Sequence, residues 1–113
     1  MGKITLEKAD QYKWGEVGMG WLLKTSPELT IAQRVLSPGV KEKKHYHNHA
    51  WQFFYILEGE GTIFVDNELI QIKADESIEV SPLSVHQMIN SGDSLIRYLV
   101  ISKPNSFEDR VDV

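Results

Sequence analysis

The sequence predicts an all-β protein, an antiparallel barrel or sandwich built from short strands. Three observations carry that prediction. Runs rich in β-branched and aromatic residues recur at short spacing, each stopped by Gly, Pro, Asn, Asp or Ser. No stretch of a dozen residues shows convincing 3.6-residue apolar periodicity, so helices are minor. Without crossover helices, neighbouring strands should run antiparallel.

The elements follow in order. Leu29 to Leu36 (LTIAQRVL) lies between Ser26-Pro27 and Ser37-Pro38-Gly39, and Trp51 to Leu57 (WQFFYIL) ends at Glu58-Gly59. Thr62 to Val65 and Leu69 to Ile72 flank Asp66-Asn67, a hairpin signal. Ser77 to Val80 stops at Ser81-Pro82, His86 to Ile89 runs into Asn90-Ser91-Gly92-Asp93, and Leu95 to Ile101 ends before Pro104. About seven to nine strands are expected, as in a sandwich or closed barrel. Residues 1–28 are Gly-rich at first and patternless apart from Trp14 and Trp21. They are expected as an irregular arm whose tryptophans cover one end of a barrel at 29–103, with a tail at 104–113.

Composition narrows the function. With 113 residues the chain is one domain, and 42% hydrophobic and 25% charged residues are ordinary for a globular one. A net charge of −4 offers no basic field, so no nucleic-acid partner is expected. There is no cysteine, so a metal would be held by nitrogen and oxygen. No signal peptide is evident, and Ala50 to Leu57 is too short to span a bilayer. A soluble, cytoplasmic protein with no membrane partner is expected. No nucleophile elbow, P-loop or dinucleotide fingerprint is present.

His45-Tyr46-His47-Asn48-His49 is the densest cluster of metal-capable side chains. Side chains in a strand alternate faces, so His45 and His47 point the same way and can share one ion. Taken alone, the stretch also reads as a solvated loop after Lys41-Glu42-Lys43-Lys44. Two features strengthen the metal reading. Gln52 opens the next apolar run, and His86 begins another strand just after a Pro-containing turn. Three imidazoles on neighbouring strands would form a facial triad with open positions for water or substrate. His49 continues the alternation but precedes the apparent turn, which makes it a rim residue.

These motifs resemble those of the cupins, jelly-roll barrels also described as double-stranded β-helices. Gly39, VKEKK, His45-Tyr46-His47, Gln52 and Gly59 match the spacing of the family's first motif, with Gln52 where glutamate is usual. Asp75 to Asn90 is similar to the second motif. His86 and Asn90 match, while Asp75, Ser81 and Leu83 stand where the family usually has Gly, Pro and Gly. Asp75 suits a left-handed turn, but Leu83 implies a different turn and a small change in the aim of His86. The resemblance covers Leu29 to Ile101. It implies an all-β, antiparallel jelly-roll barrel with one divalent transition metal (Fe, Mn, Ni, Cu or Zn) at His45, His47 and His86. Gln52 is then either a weak ligand or hydrogen-bonded to a metal-bound water.

Cupins include dioxygenases, isomerases, decarboxylases and lyases, so the resemblance does not choose a reaction. The expected function is binding or turnover, dioxygenase- or isomerase-like, of a small anionic organic ligand at the metal. The alternatives are a non-catalytic ligand sensor and a metal-independent sugar-nucleotide isomerase or epimerase. The anion follows from Gln52, because three neutral imidazoles leave a divalent ion its full charge in an apolar cavity. Pocket candidates are Arg34, Phe54, Ile56, Met88 and Tyr98. Arg34 reads equally well as a solvated strand residue, and packing is the commoner role for Tyr46, Tyr55 and Tyr98. Gln52, Phe54 and Ile56 should face the cavity, and the other face of WQFFYIL should cover a second sheet or subunit. With the arm, that apolar surface points to a two-fold homodimer.

Overall fold

The computed structural model describes residues 2–14 and 18–113, and the expectation for the Trp14 side chain lies outside what is described. The described residues form β1 (Asp10–Trp14), β2 (Gly18–Ser26), β3 (Leu29–Leu36), β4 (His45–His47), β5 (Trp51–Glu58), β6 (Glu60–Val65), β7 (Glu68–Lys73), β8 (Ser77–Val80), β9 (His86–Ile89), β10 (Ile96–Lys103) and β11 (Arg110–Asp112). They make two sheets of strand order β1-β2-β3-β10-β5-β8 and β11-β4-β9-β6-β7. Every pairing is antiparallel, as expected without crossover helices.

Period-two alternation explains the core. Along β10, Ile96, Tyr98, Val100 and Ser102 are buried in turn, and along β5 the buried set is Gln52, Phe54 and Ile56. The opposite sheet contributes Ile63, Ile72 and Met88 to the same cluster. Burying each large apolar side chain contributes about 1.5–3 kcal/mol, so this cluster is the main cohesive element. Trp51, Phe53 and Tyr55 take the outward positions of β5 and are only half-buried, with the first two rings stacked at 6.2 Å. Among the described residues, no second sheet covers that outer face.

The turns behave as their residues dictate, with one difference. Asp66 and Asn67 both take positive φ, at 47° and 70°, the pattern of a two-residue hairpin turn between β6 and β7. Asp75 is left-handed at φ 69°. Leu83, expected to force a different turn, takes the left-handed conformation itself at φ 70°. Its side chain is exposed, so no packing opposes the conformation, which costs about 1–2 kcal/mol. The Leu83 amide donates to the His47 carbonyl at 2.8 Å, tying the turn before His86 to the end of β4.

Both chain ends differ from expectation. Residues 1–28 are not an irregular arm, because β1 and β2 pair with each other and β2 pairs with β3. Glycine disfavours strands, which hid β2, yet Gly20 serves packing here. A Cβ at Gly20 would lie 2.5 Å from the Tyr12 ring, so only glycine lets that ring lie across β2. Trp21 is half-buried, with the Arg97 guanidinium 5.8 Å from its ring. Nor is 104–113 a loose tail. Arg110, Val111 and Asp112 pair with His47, Tyr46 and His45.

Candidate metal centre

Strand pairing brings the three histidines together. His45 and His47 leave the same face of β4, and His45 is the cross-strand partner of His86 on β9. Ring centroids stand 4.3 Å apart for His45–His86, 5.3 Å for His45–His47 and 5.8 Å for His47–His86. One nitrogen from each ring lies within 4.8 Å of the others, and all three side chains are buried. Such a trio is close enough to hold one metal ion.

Their protonation suits ligation. His45 Nδ1 donates to the Lys43 carbonyl and His86 Nδ1 to the Ser84 carbonyl, both at 2.9 Å. A carbonyl only accepts, so each Nδ1 carries the hydrogen and each Nε2 a lone pair. Burial, reinforced by the neighbouring His86, pushes His45 down to about 2 and His47 down to about 4. Burial also pushes His86 down to about 4, against the Ser84 carbonyl, which favours its charged form. All three are therefore neutral at pH 7, as metal ligands must be. His47 Nδ1 is buried with no hydrogen-bond partner among the described residues.

Gln52 reaches the trio from the opposite sheet. Its Oε1 lies 3.0 Å from His86 Nε2, and its amide nitrogen donates to Ser102 Oγ at 3.0 Å. The lone pair of His86 Nε2 thus faces a carbonyl oxygen, an unfavourable contact left as it is. A cation shared by both atoms relieves it, since ligands at ~2.1 Å and right angles are about 3.0 Å apart. Turning the amide, so that its NH2 donates to His86, relieves it as well. The donor set therefore fits a divalent ion at three imidazoles with an amide oxygen beside them.

A cavity of about 170 Å3 opens beside the trio, lined by Tyr12, Lys13, Arg34, His45, His47, Ser106, Phe107 and Arg110. Among the expected pocket residues, Arg34 lies on this wall. Phe54, Ile56, Met88 and Tyr98 do not; they are packed in the core beneath it. A barrel this narrow fills its interior with side chains, which leaves space only near the rim. Phe54 instead meets the His86 ring at 5.9 Å and so braces the site. His49 is exposed and lies outside the trio, its amide held by the Asp109 carboxylate at 2.9 Å.

Several wall residues carried no sequence signal. Tyr12 and Lys13 lay in the apparent arm and Arg110 in the apparent tail. Arg34 Nε donates to the Tyr12 hydroxyl at 3.1 Å, and Tyr12 packs edge-on against Phe107 at 5.5 Å. Behind the wall sits Glu42, buried although it comes from the lysine-rich spacer. Its Oε1 accepts the Met88 amide at 3.0 Å, while its Oε2 lies 3.7 Å from Arg110 Nη1 and 3.9 Å from His45 Nδ1. Burial pushes its carboxyl up to about 7, against the pull of Arg34.

Comparison with known proteins agrees with this architecture. The family model described as a cupin domain matches residues 33–102. The uncharacterized protein MJ1618 of Methanocaldococcus jannaschii is 32% identical over 81 residues, covering 71% of this chain and 65% of that protein. The chain spans less than two-thirds of the length of the curated relatives it matches. An uncharacterized double-stranded β-helix protein from Klebsiella pneumoniae superposes with a TM-score of 0.81 at 16% identity, covering 98% of this chain and 96% of that one. A predicted oxalate decarboxylase from Thermotoga maritima gives a TM-score of 0.83 at 17% identity, covering 92% and 100%. The matched span contains all three histidines, Gln52 and both faces of the core, and the chain belongs to the cupin domain family.

Proposed function

We propose that this protein binds a small, chelating organic anion at a single divalent metal held by His45, His47 and His86, with Gln52 Oε1 beside it. One observation carries the reading: of three buried, neutral imidazoles within 4.8 Å of one another, those of His45 and His47 share a cavity wall with Lys13, Arg34 and Arg110, and among the described residues no carboxylate lines it. A bound divalent metal would polarise a ligand oxygen as a Lewis acid. The chain's own part is to keep the imidazoles neutral, to exclude water by packing Phe54 and Met88 beneath them, and to attract negative charge with the three cations. The T. maritima neighbour's name, which refers to a small dianion, supports the same ligand class.

The wall is richer in positive charge than the sequence suggested, which removes one argument against a sugar-nucleotide enzyme. Size opposes that alternative instead. A volume of about 170 Å3 falls below the ~300–1,000 Å3 of pockets for drug-sized ligands. The test is titration of the zinc-loaded protein with acetylacetonate and with neutral diols of similar size. Acetylacetonate should bind more tightly, and a preference for the diols contradicts the reading. Oxygen uptake by the iron-loaded protein with bound enolates separates a dioxygenase from a non-catalytic sensor.

We also infer a two-fold homodimer through the outer face of Trp51, Phe53 and Tyr55. A 12.9 kDa species in light scattering at micromolar concentration contradicts it.

A further inference from the structure

We propose that Tyr12, on the first strand, is a ligand-binding residue whose hydroxyl donates a hydrogen bond to an oxygen of the molecule held at the metal. Gly20 is then a positioning residue, because the gap it leaves sets where that hydroxyl lies. The ligand class narrows to small chelators that keep an oxygen lone pair open toward β1. This rests on the metal-and-anion reading above and adds to it a contact from outside the family-matched span at 33–102.

Register puts the hydroxyl there. Tyr12 pairs with Gly20 and Gly20 with Arg34, a row across β1, β2 and β3. Residues directly opposite one another share a face of the sheet, so Tyr12 and Arg34 flank Gly20 on the same face. A Cβ at Gly20 would stand 2.5 Å from the Tyr12 Cζ and 2.8 Å from its hydroxyl oxygen, so any side chain there displaces the ring. With glycine in place the ring crosses β2. Arg34 Nε then donates to its oxygen at 3.1 Å, and the Phe107 ring meets it edge-on at 5.5 Å. The ring packs on the core cluster and lines the cavity together with His45 and His47.

Donor and acceptor chemistry gives that hydroxyl a use beyond packing. The bond from Arg34 occupies a lone pair of the Tyr12 oxygen and leaves its hydrogen. A guanidinium has no acceptor, so the hydrogen turns elsewhere. The charge-assisted bond polarises the O–H and makes it a stronger donor. Lys13, Arg34 and Arg110 share the wall and carry donors only, so an acceptor is best supplied by what occupies the cavity. A metal-bound ligand with an open oxygen lone pair gains a hydrogen bond here. A ligand without one gains nothing from Tyr12.

Two probes of the zinc-loaded protein separate this contact from a purely structural role. Acetylacetonate chelates through two oxygens that keep lone pairs, whereas imidazole binds zinc through one nitrogen and offers only an N–H at the other. Tyr12→Phe keeps the ring against Gly20 and Phe107. It should weaken acetylacetonate about threefold to tenfold in calorimetric titration, with imidazole affinity and zinc content unchanged. Gly20→Ala displaces the ring and should weaken acetylacetonate by a similar factor. In the Tyr12→Phe background it should add less than about twofold, since the hydroxyl it would displace is already gone. Should Gly20→Ala fail to fold, Tyr12→Phe alone decides. Undiminished acetylacetonate binding by Tyr12→Phe, or an equal loss for imidazole, overturns this inference and leaves the metal-and-anion reading standing. Full additivity of the two substitutions overturns the role given to Gly20. No acetylacetonate binding by the wild-type protein overturns both readings.

Discussion

The neutral donors of the site and two of the three cations beside it come from different parts of the chain. The neutral donors, His45, His47, Gln52 and His86, sit on β4, β5 and β9, inside the span that the cupin model covers. Of the cations, Arg34 lies in that span, whereas Lys13 belongs to β1 and Arg110 to β11. The contrast has a physical reason. An imidazole becomes a ready metal ligand when burial strips its charge, so it belongs on strands that form the core. Lysine and arginine keep their charge only where heads reach water or counter-charges, so the rim and the terminal strands suit them. The barrel span carries the donor set, and the terminal strands carry two of the three cations that line the cavity.

That contrast can be broken from either side. The largest effect should come from beneath the neutral side. Phe54→Ala removes a buried ring that packs on His86 and should cost about 3–5 kcal/mol of unfolding free energy in urea. A loss below about 1 kcal/mol would mean that the metal trio does not depend on this core.

Acidity probes the same side through linkage. In the metal-free protein, unfolded histidines take up protons near their ordinary 6.5, folded His47 and His86 only near about 4, and His45 near about 2. Stability is therefore full above pH 6.5 and falls as pH drops from there toward 4. Glu42 has the opposite sign. Its carboxyl rises from 4.5 to about 7, so its contribution is full below pH 4.5 and is lost as pH climbs through 7. Urea midpoints across this range should show both limbs. Glu42→Gln should flatten the alkaline limb and keep the acid one; loss of the acid limb instead would put the histidine assignment in error.

A smaller change lies at the junction of the two sides. Gln52→Glu places a negative charge beside the metal. Acetylacetonate affinity should fall by about 1–3 kcal/mol while zinc affinity holds or rises. Tighter binding of the anion by the variant contradicts the charge argument. The smallest effect is expected at the rim, where Lys13 is exposed. Lys13→Ala should shift stability by no more than about 0.5 kcal/mol, and a shift of several kcal/mol would make β1 structural rather than selective.

The sequence made one side legible and left the other dark for the same reason. Alternation and turn chemistry are local, so Leu29–Leu36 and Ser77–Val80 could be read residue by residue, as could the Asp66-Asn67 turn. The histidines were legible through spacing within single strands. Glu42 was not, because its burial comes from Met88 and Arg110, far away in sequence. Tyr12 and Arg110 were hidden because their meaning is set by pairing with Gly20 and His47, which no local pattern encodes. Leu83 shows the reverse error. A family glycine was taken as required where an exposed leucine accepts the strained turn.

The central claim is that one metal ion sits at the buried trio, and metal content after equilibrium dialysis against zinc tests it most directly. Wild-type protein should retain about one zinc per chain, and folded His45→Ala/His47→Ala protein should retain essentially none, since each lost ligand removes several kcal/mol of a site worth about 10–16 kcal/mol. Full zinc occupancy in the double variant, or none in the wild type, would contradict the account.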